Sequence, residues 1–217
     1  MKLYVIRHGE TLANEEGRLQ GWSDDPLNSN GIILARQTAQ ALKGLRFDAA
    51  YSSPLKRALE TARIILEGSG NENVLIQTDE RLKEINAGDY ERKRIQEGQC
   101  EIDSRFICDY FKNPFLVGGF PGGESVEKVI TRTQQFLKEI VQDKETHILI
   151  STHGFALRAM LNFLYSDPAD FWHGHLPYNC SVSIVEYANR HFTLMADDVV
   201  FYDRALLIDR YTSYACR

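Results

Sequence analysis

No stretch of the 217 residues approaches the roughly 18 consecutive apolar residues that a membrane-crossing helix needs. The apolar run at the start, Met1 to Ile6, is too short for a signal-peptide core, and Arg7 ends it. Cysteine is sparse and scattered. Cys100, Cys108, Cys180 and Cys216 form no C-x-x-C pair and no zinc spacing, so four reduced structural thiols are expected, in a soluble cytoplasmic protein. Positive charge is not in excess either: the formal net charge is −5. That balance excludes a general nucleic-acid binder, which needs a strongly basic face, and it requires any anion site to be local. Linkers, internal repeats and low-complexity tracts are missing too, so residues 1–217 read as one domain with a core large enough to need no staples.

What is present is an ordinary globular composition, 43% hydrophobic and 25% charged, with alternating strand and helix signals. Lys2 to Arg7 reads as a buried strand that ends abruptly in a polar loop. Ile33, Leu34, Gln37, Ala41 and Leu42 recur at helical spacing, and a second strand is expected over Phe47 to Tyr51. Ser53-Pro54 predicts a helix start, with serine as cap and proline at the first helical position. That helix runs to about Leu66, and a third strand covers Val74 to Gln77. Residues 84–123 are irregular, with turn signals at Gly88, Gly98, Asn113-Pro114 and Pro121-Gly122-Gly123 and a helical stretch around Ile102 to Phe111. An amphipathic helix spans Glu124 to Gln142, a strand His147 to Ser151, and a helix Gly154 to Tyr165. Ser181–Tyr187 and His191–Met195 resemble a hairpin, and the last twenty residues show no clear period. This alternation predicts an α/β fold, a three-layer α/β/α sandwich around a mostly parallel sheet.

The unusual polar residues fall where such a sheet binds ligands, beyond the carboxyl ends of its strands. Arg7 and His8 follow the first strand, and His153 follows the strand His147–Ser151 with Gly154 opening a helix. Arg57 lies in the first turn of the helix opened by Ser53-Pro54. Two helix starts would add free amides and positive dipole ends, so together these groups describe a phosphate-sized site. A neutral imidazole is a competent nucleophile, and paired guanidiniums suit the equatorial oxygens of a transferring phosphoryl group. A carboxylic acid must then protonate the leaving alkoxide, and Glu84, following the third strand, is the best-placed candidate.

Arg7-His8-Gly9-Glu10-Thr11, Asn14, Ser52-Ser53-Pro54-Leu55-Lys56-Arg57-Ala58 and Ser151-Thr152-His153-Gly154 resemble the histidine phosphatase superfamily, in its phosphoglycerate-mutase-like branch. Gln20 to Asn28 and Pro121-Gly122-Gly123-Glu124-Ser125 resemble further markers of that branch, and the likeness covers about residues 1–190. It implies a phosphoglycerate-mutase-like fold, His8 as the nucleophile that becomes phosphohistidine, and Arg7, Asn14, Arg57 and His153 as holders of the phosphoryl oxygens. Gly154 joins them as substrate-binding, and Glu84 becomes proton donor and later base. Relatives commonly place a glycine where this chain has Arg92, which puts the turn after Glu84 in question.

Each of these residues also has a bland reading. His8 alone would read as a structural histidine, but with Arg7, Asn14, Arg57 and His153 it reads as catalytic. Glu10 and Thr11 are assigned structural roles. Glu124 reads as a helix-dipole partner, Arg92-Lys93-Arg94 as a solvated face, and His173-Gly174-His175 as a loop near the mouth of the site. His147 and His191 carry no signal. Phe106, Tyr110, Phe111 and Phe115 read either as a partly apolar lid or as core, within a variable lid-like insertion at about 88–120. The short span from Glu84 to His153, with its basic residues offset by acidic ones, favours a phosphatase over a cofactor-dependent phosphoglycerate mutase or a non-catalytic phospholigand-binding relative. The expected partner is a small phosphorylated substrate with no metal, cofactor, nucleic acid or membrane, and a homodimer is left open.

Overall fold

The computed structural model describes residues 1–96, 98–141 and 146–206. Cys216 and the end of the unpatterned tail lie outside the described residues. Six strands form one sheet: β1 (Lys2–Arg7), β2 (Ala49–Ser52), β3 (Ile76–Thr78), β4 (His147–Thr152), β5 (Val182–Ala188) and β6 (His191–Val199). Their order is β3-β2-β4-β1-β5-β6. The first four are mutually parallel, and β5 runs antiparallel to both β1 and β6. The expected hairpin is therefore the antiparallel edge of an otherwise parallel sheet.

Period-two alternation in β1 builds both faces of the core. Leu3 and Val5 pack with Ile148 and Ile150 of β4 against Phe136 and Leu137 of α5 (Val126–Ile140) and Leu157 and Met160 of α6 (Gly154–Leu161). Tyr4 and Ile6 face the other way, packing with Ala39 of α2 (Ser29–Ala41) and Ala62, Ile65 and Leu66 of α3 (Lys56–Ser69). A strand buried on both faces reads as a continuous apolar run, as Lys2 to Arg7 does. Helices on both sides complete the three-layer α/β/α arrangement. Among the described residues no helix is long and apolar enough to cross a membrane.

Local chemistry moves some boundaries. Helix α3 begins at Lys56 rather than at Ser53-Pro54, because the Ser53 hydroxyl accepts from the Leu55 amide at 3.3 Å and contacts His153 instead of capping. Its C-terminal stop is Gly70, left-handed at φ 85°. The helix expected from Glu124 starts at Val126, because Ser125 caps it through the Lys128 amide. The irregular stretch carries α4 (Ser104–Lys112), close to the helical segment expected there. A first short helix, Leu12–Glu15, serves as α1 and opens with a reciprocal Thr11–Asn14 capping box. Cys100 and Cys180 are free thiols, but Cys108 is disulfide-bonded, which corrects the expectation of four thiols.

Candidate active site

Strand register assembles the site. Arg7 of β1 pairs with Thr152 of β4, and the His8 amide donates to the Thr152 carbonyl at 2.9 Å, so the next residue on each strand is a histidine. The His8 and His153 rings lie 5.1 Å apart between centroids. On the other side of β4, Ser52 pairs with Ser151, and the Ser53 hydroxyl reaches His153 Nε2 at 2.8 Å. Three parallel strands thus end together and deliver their following residues to one place. His8 and His153 are both almost fully buried.

His8 Nδ1 lies 2.7 Å from the Gly9 carbonyl, which accepts its proton and leaves the lone pair on Nε2. Arg57 Nε donates to that Nε2 at 3.3 Å. Burial, and then the guanidiniums of Arg57 and Arg7, hold the His8 imidazole well below its ordinary 6.5, so it is neutral near neutral pH. His153 is lowered in the same direction by burial, Arg57, His8, Arg132 and Arg7. Among the described residues its buried Nδ1 has no hydrogen-bond partner.

Arg57 is fully buried, and its NH1 and NH2 groups donate to the carbonyls of Ser23 at 2.6 Å and Gly21 at 2.7 Å. Three of the five donors of a guanidinium are therefore engaged. Burial lowers its pKa to about 10, with Glu84 foremost among the carboxylates opposing the shift, so it stays charged at neutral pH. Arg7 donates through NH1 to the Pro177 carbonyl. A Cβ on Gly154 would come within 3.3 Å of Arg7 Nε and 2.9 Å of Leu176, so the bare glycine lets the guanidinium lie against the start of α6. Asn14 is buried, and its Oδ1 accepts from the Thr11 amide at 3.2 Å.

Glu84 occupies the start of α6, where free amides are expected to meet an anion. Its Oε2 accepts from the Phe155 amide at 3.0 Å, and its Oε1 accepts from Ala156 at 3.0 Å and Ile85 at 2.9 Å. The start of α3 is treated similarly, since Asp24 accepts from the Lys56 amide at 2.6 Å. Carboxylates of the chain itself, rather than free amides, thus meet the positive ends of these helices. Burial nevertheless raises the Glu84 pKa above its ordinary 4.5, against the three amides and Arg57.

Arg7, His8, Asn14, Glu84 and Gly154 line one cleft, and Arg57 and His153 lie buried beside His8. All seven residues singled out in the sequence are therefore brought together.

Several residues that support the site had no assigned role. Arg132 donates to the carbonyls of Arg81, Lys83 and Glu84 at 2.6, 2.7 and 2.9 Å. It is gripped by both oxygens of buried Glu124, at 3.1 and 3.0 Å, and Glu124 also accepts from the Asn86 amide at 3.0 Å. Glu124 is thus a buried clamp on the Glu84 turn, not merely a dipole partner. Trp22 Nε1 donates to the Glu84 carbonyl at 2.9 Å from the other side. Glu91 accepts from the amides of Gly21, Trp22 and Ser23, shaping the loop whose carbonyls hold Arg57. The turn after Glu84 survives the replacement of glycine, because Arg92 itself adopts φ 62°. Gly88 cannot be replaced so simply: a Cβ there would lie 2.2 Å from the Pro121 carbonyl oxygen.

His173 stacks on Tyr165 at 3.5 Å between ring centroids, and His175 Nε2 lies 3.3 Å from Asp198. Leu176, next to His175, lines the cleft, so this loop does flank its mouth.

The histidine phosphatase superfamily (branch 1) profile matches residues 3–197, nearly the whole chain. The chain belongs to the histidine phosphatase superfamily. The solved structure of Bacillus stearothermophilus YhfR is 33% identical, with a TM-score of 0.81 over 91% of this chain and 96% of that one. Entamoeba histolytica phosphoserine phosphatase, solved in complex with 3-phosphoglyceric acid, is 29% identical, with a TM-score of 0.71 over 90% and 95%. The 2,3-bisphosphoglycerate-dependent phosphoglycerate mutase 2 of Gloeobacter violaceus is 32% identical over 162 residues, 73% of each chain. Superfamily relatives of this chain thus bear both phosphatase and mutase names, over the same phosphoglycerate-mutase-like fold.

Proposed function

We propose that this superfamily member is a metal-independent phosphomonoester hydrolase that carries the phosphoryl group of a small phosphorylated metabolite on His8. The observation that carries this reading is the His8 ring itself. Its Nδ1 proton is held by the Gly9 carbonyl, its unprotonated Nε2 accepts only a long 3.3 Å bond from Arg57 that phosphorus would displace, and Glu84, raised by burial, lines the same cleft.

In the first step the lone pair of His8 Nε2 attacks phosphorus. A P–N bond forms as the P–O bond to the alcohol breaks, and the Glu84 proton passes to the departing alkoxide. Arg7, Arg57, Asn14 and His153 surround the transferring group with donors that need no reorganisation. In the second step water attacks phosphorus. The P–N bond breaks, the water proton returns to Glu84, and inorganic phosphate leaves. A carboxylate offers about four acceptor positions, and three are taken by amides, so one remains for the proton that shuttles.

Brief exposure to a ³²P-labelled phosphomonoester is expected to give an acid-labile, base-stable label on the wild-type chain and none on His8→Ala. His8→Ala should also abolish turnover, and chelator should leave the wild type unaffected. Substantial hydrolysis by His8→Ala would overturn the mechanism. Mutase activity is the second reading, favoured by the Gloeobacter violaceus relative. It predicts interconversion of phosphoglycerates that depends on added bisphosphate. The proposal keeps the cytoplasm as the setting, as expected from the sequence.

A further inference from the structure

Besides the groups placed for the phosphoryl, the cleft has an apolar lining. It is made by Leu19, Ile95, Tyr110, Phe111 and Trp172, with Leu176 beside Arg7 and Gly154. The aromatic members are fixed before any ligand arrives. Trp172 Nε1 donates to the Tyr110 carbonyl at 2.9 Å, and the Tyr110 and Trp172 rings meet edge-on at 5.7 Å. Phe111 lies over Trp172 at 6.4 Å, and Tyr110 stacks on Phe155 at 6.0 Å. Core is the reading that fits this segment: Tyr110 belongs to the core cluster and Phe106, Phe111 and Phe115 pack against it, while Tyr110 and Phe111 also present an edge to the cleft.

Charge at this end is already committed. Among the described residues the cleft's basic side chains are Arg7, at the phosphoryl end, and Arg18. Arg18 Nε sits 2.6 Å from Glu16, and its NH1 lies 3.8 Å from Glu101 and donates to the Arg92 carbonyl at 2.9 Å. Two carboxylates thus surround one guanidinium. The neighbouring basic run does not line the cleft: Arg92 pairs with Asp25 at 2.8 Å, and Lys93 lies over the Tyr90 ring. A second anionic group would meet apolar rings and a neutralised arginine, losing its hydration without a partner. An apolar group would instead bury surface against a wall already in place.

We propose that the substrate is a phosphomonoester whose organic part is an uncharged, apolar group of about the size of an aromatic ring, seated against Tyr110, Phe111 and Trp172. This inference rests on the hydrolase reading of the same cleft and specifies what that reading leaves open.

The test compares kcat/KM of the full chain for 2-phenylethyl phosphate, 3-phosphoglycerate and O-phosphoserine, three esters of primary alcohols, so that wall contacts rather than leaving-group chemistry dominate. The phenylethyl ester is expected to be preferred by about tenfold or more. Phe111→Ala should shrink that ratio to within about threefold. Glu16, partly exposed and remote from the chemistry, gives a variant that does not depend on α4 packing. Glu16→Gln should raise kcat/KM for 3-phosphoglycerate severalfold by releasing Arg18, with the phenylethyl ester little changed. Equal or better hydrolysis of either anionic ester by the wild type, with phosphohistidine still formed, would overturn this inference and spare the hydrolase. A rise for 3-phosphoglycerate absent in Glu16→Gln would count against it as well. No turnover of any ester and no label on His8 would remove both.

Discussion

Glu84 is held under two opposed demands. As the proposed proton donor it must keep a proton as pH rises, and burial acts in that direction by raising its pKa. Three backbone amides and Arg57 pull the other way, and they also fix where the carboxyl sits. Protonation of the alkoxide matters only when the leaving group is a poor one. Glu84→Gln is therefore expected to lower kcat for alkyl phosphates by about 10²–10⁴, and to have a far smaller effect on 2,4-dinitrophenyl phosphate, whose phenolate departs unaided. The sign of the pH dependence follows from the same shifts. Activity should fall as pH rises through the raised Glu84 pKa, because the acid is lost, and should fall on acidification through the lowered His8 pKa, because the nucleophile is protonated. An alkaline limb that persists unchanged in Glu84→Gln would assign the acid elsewhere.

At this scale the sequence reading goes far but stops at long-range partners. Arg7, His8, Arg57 and His153 are legible because each lies beside a strand end or helix start, and such places can be read locally. Glu84 is legible only as a carboxylate after a strand. Its amide donors Phe155 and Ala156 lie 71 and 72 positions away, and nothing local announces them.

Among the elements, α5 has more than a packing role. Its Arg132 and Glu124, the residue before its Ser125 cap, form a buried pair that grips the turn carrying Glu84 through three carbonyls and one amide. Removing the guanidinium would leave Glu124 as a buried charge without its partner. Arg132→Met is expected to destabilise the fold by about 3–5 kcal/mol, and Glu124→Gln in the same chain to restore part of it. Urea unfolding of the two single variants and the double variant measures this coupling. Strictly additive effects would show that the pair does not act as a unit. Arg132→Lys should not rescue, because an ammonium cannot present a planar fork to three carbonyls.

Strands and helices follow period and turn chemistry, which is why most of them can be read from the sequence within a few residues. Their ends depend on competition. Ser53 has the features of a helix cap, yet its hydroxyl is engaged by His153, a partner 100 positions away, and α3 starts later. Glu124 has the features of a dipole partner because Arg132 lies too far along the helix to be paired with it by spacing alone.

For the whole molecule, the net charge of −5 surrounds a site whose cations are buried or paired with backbone. Its cost falls on acidification. His8 and His153 are both held neutral, with folded pKa values below the ordinary 6.5 that the unfolded chain retains. Below about pH 6.5 the unfolded chain therefore binds more protons than the native one, and stability declines as pH falls. Glu84 has the opposite sign: its raised pKa makes its contribution decline as pH rises above 4.5. His173 is lowered by burial like the other two histidines, and Asp198 is raised by burial like Glu84, so with three histidines against two carboxylates the melting temperature is expected to drop between pH 7.5 and pH 5.5, and the drop to shrink in His153→Gln. A melting temperature that is flat across this interval would show that the histidines titrate alike in both states.

The order β3-β2-β4-β1-β5-β6 also has a consequence for the chain as it is made. Strand β4 lies between β2 and β1, so β1 and β2, both made before it, have no ladder with each other. At about 5–20 residues per second, roughly 7–30 s separate synthesis of His8 from synthesis of His153. Throughout that interval the imidazole at position 8 is an ordinary solvated side chain. The proposed nucleophile is made long before the residues that would hold it neutral, and it gains their company only when β4 and the start of α6 have been made.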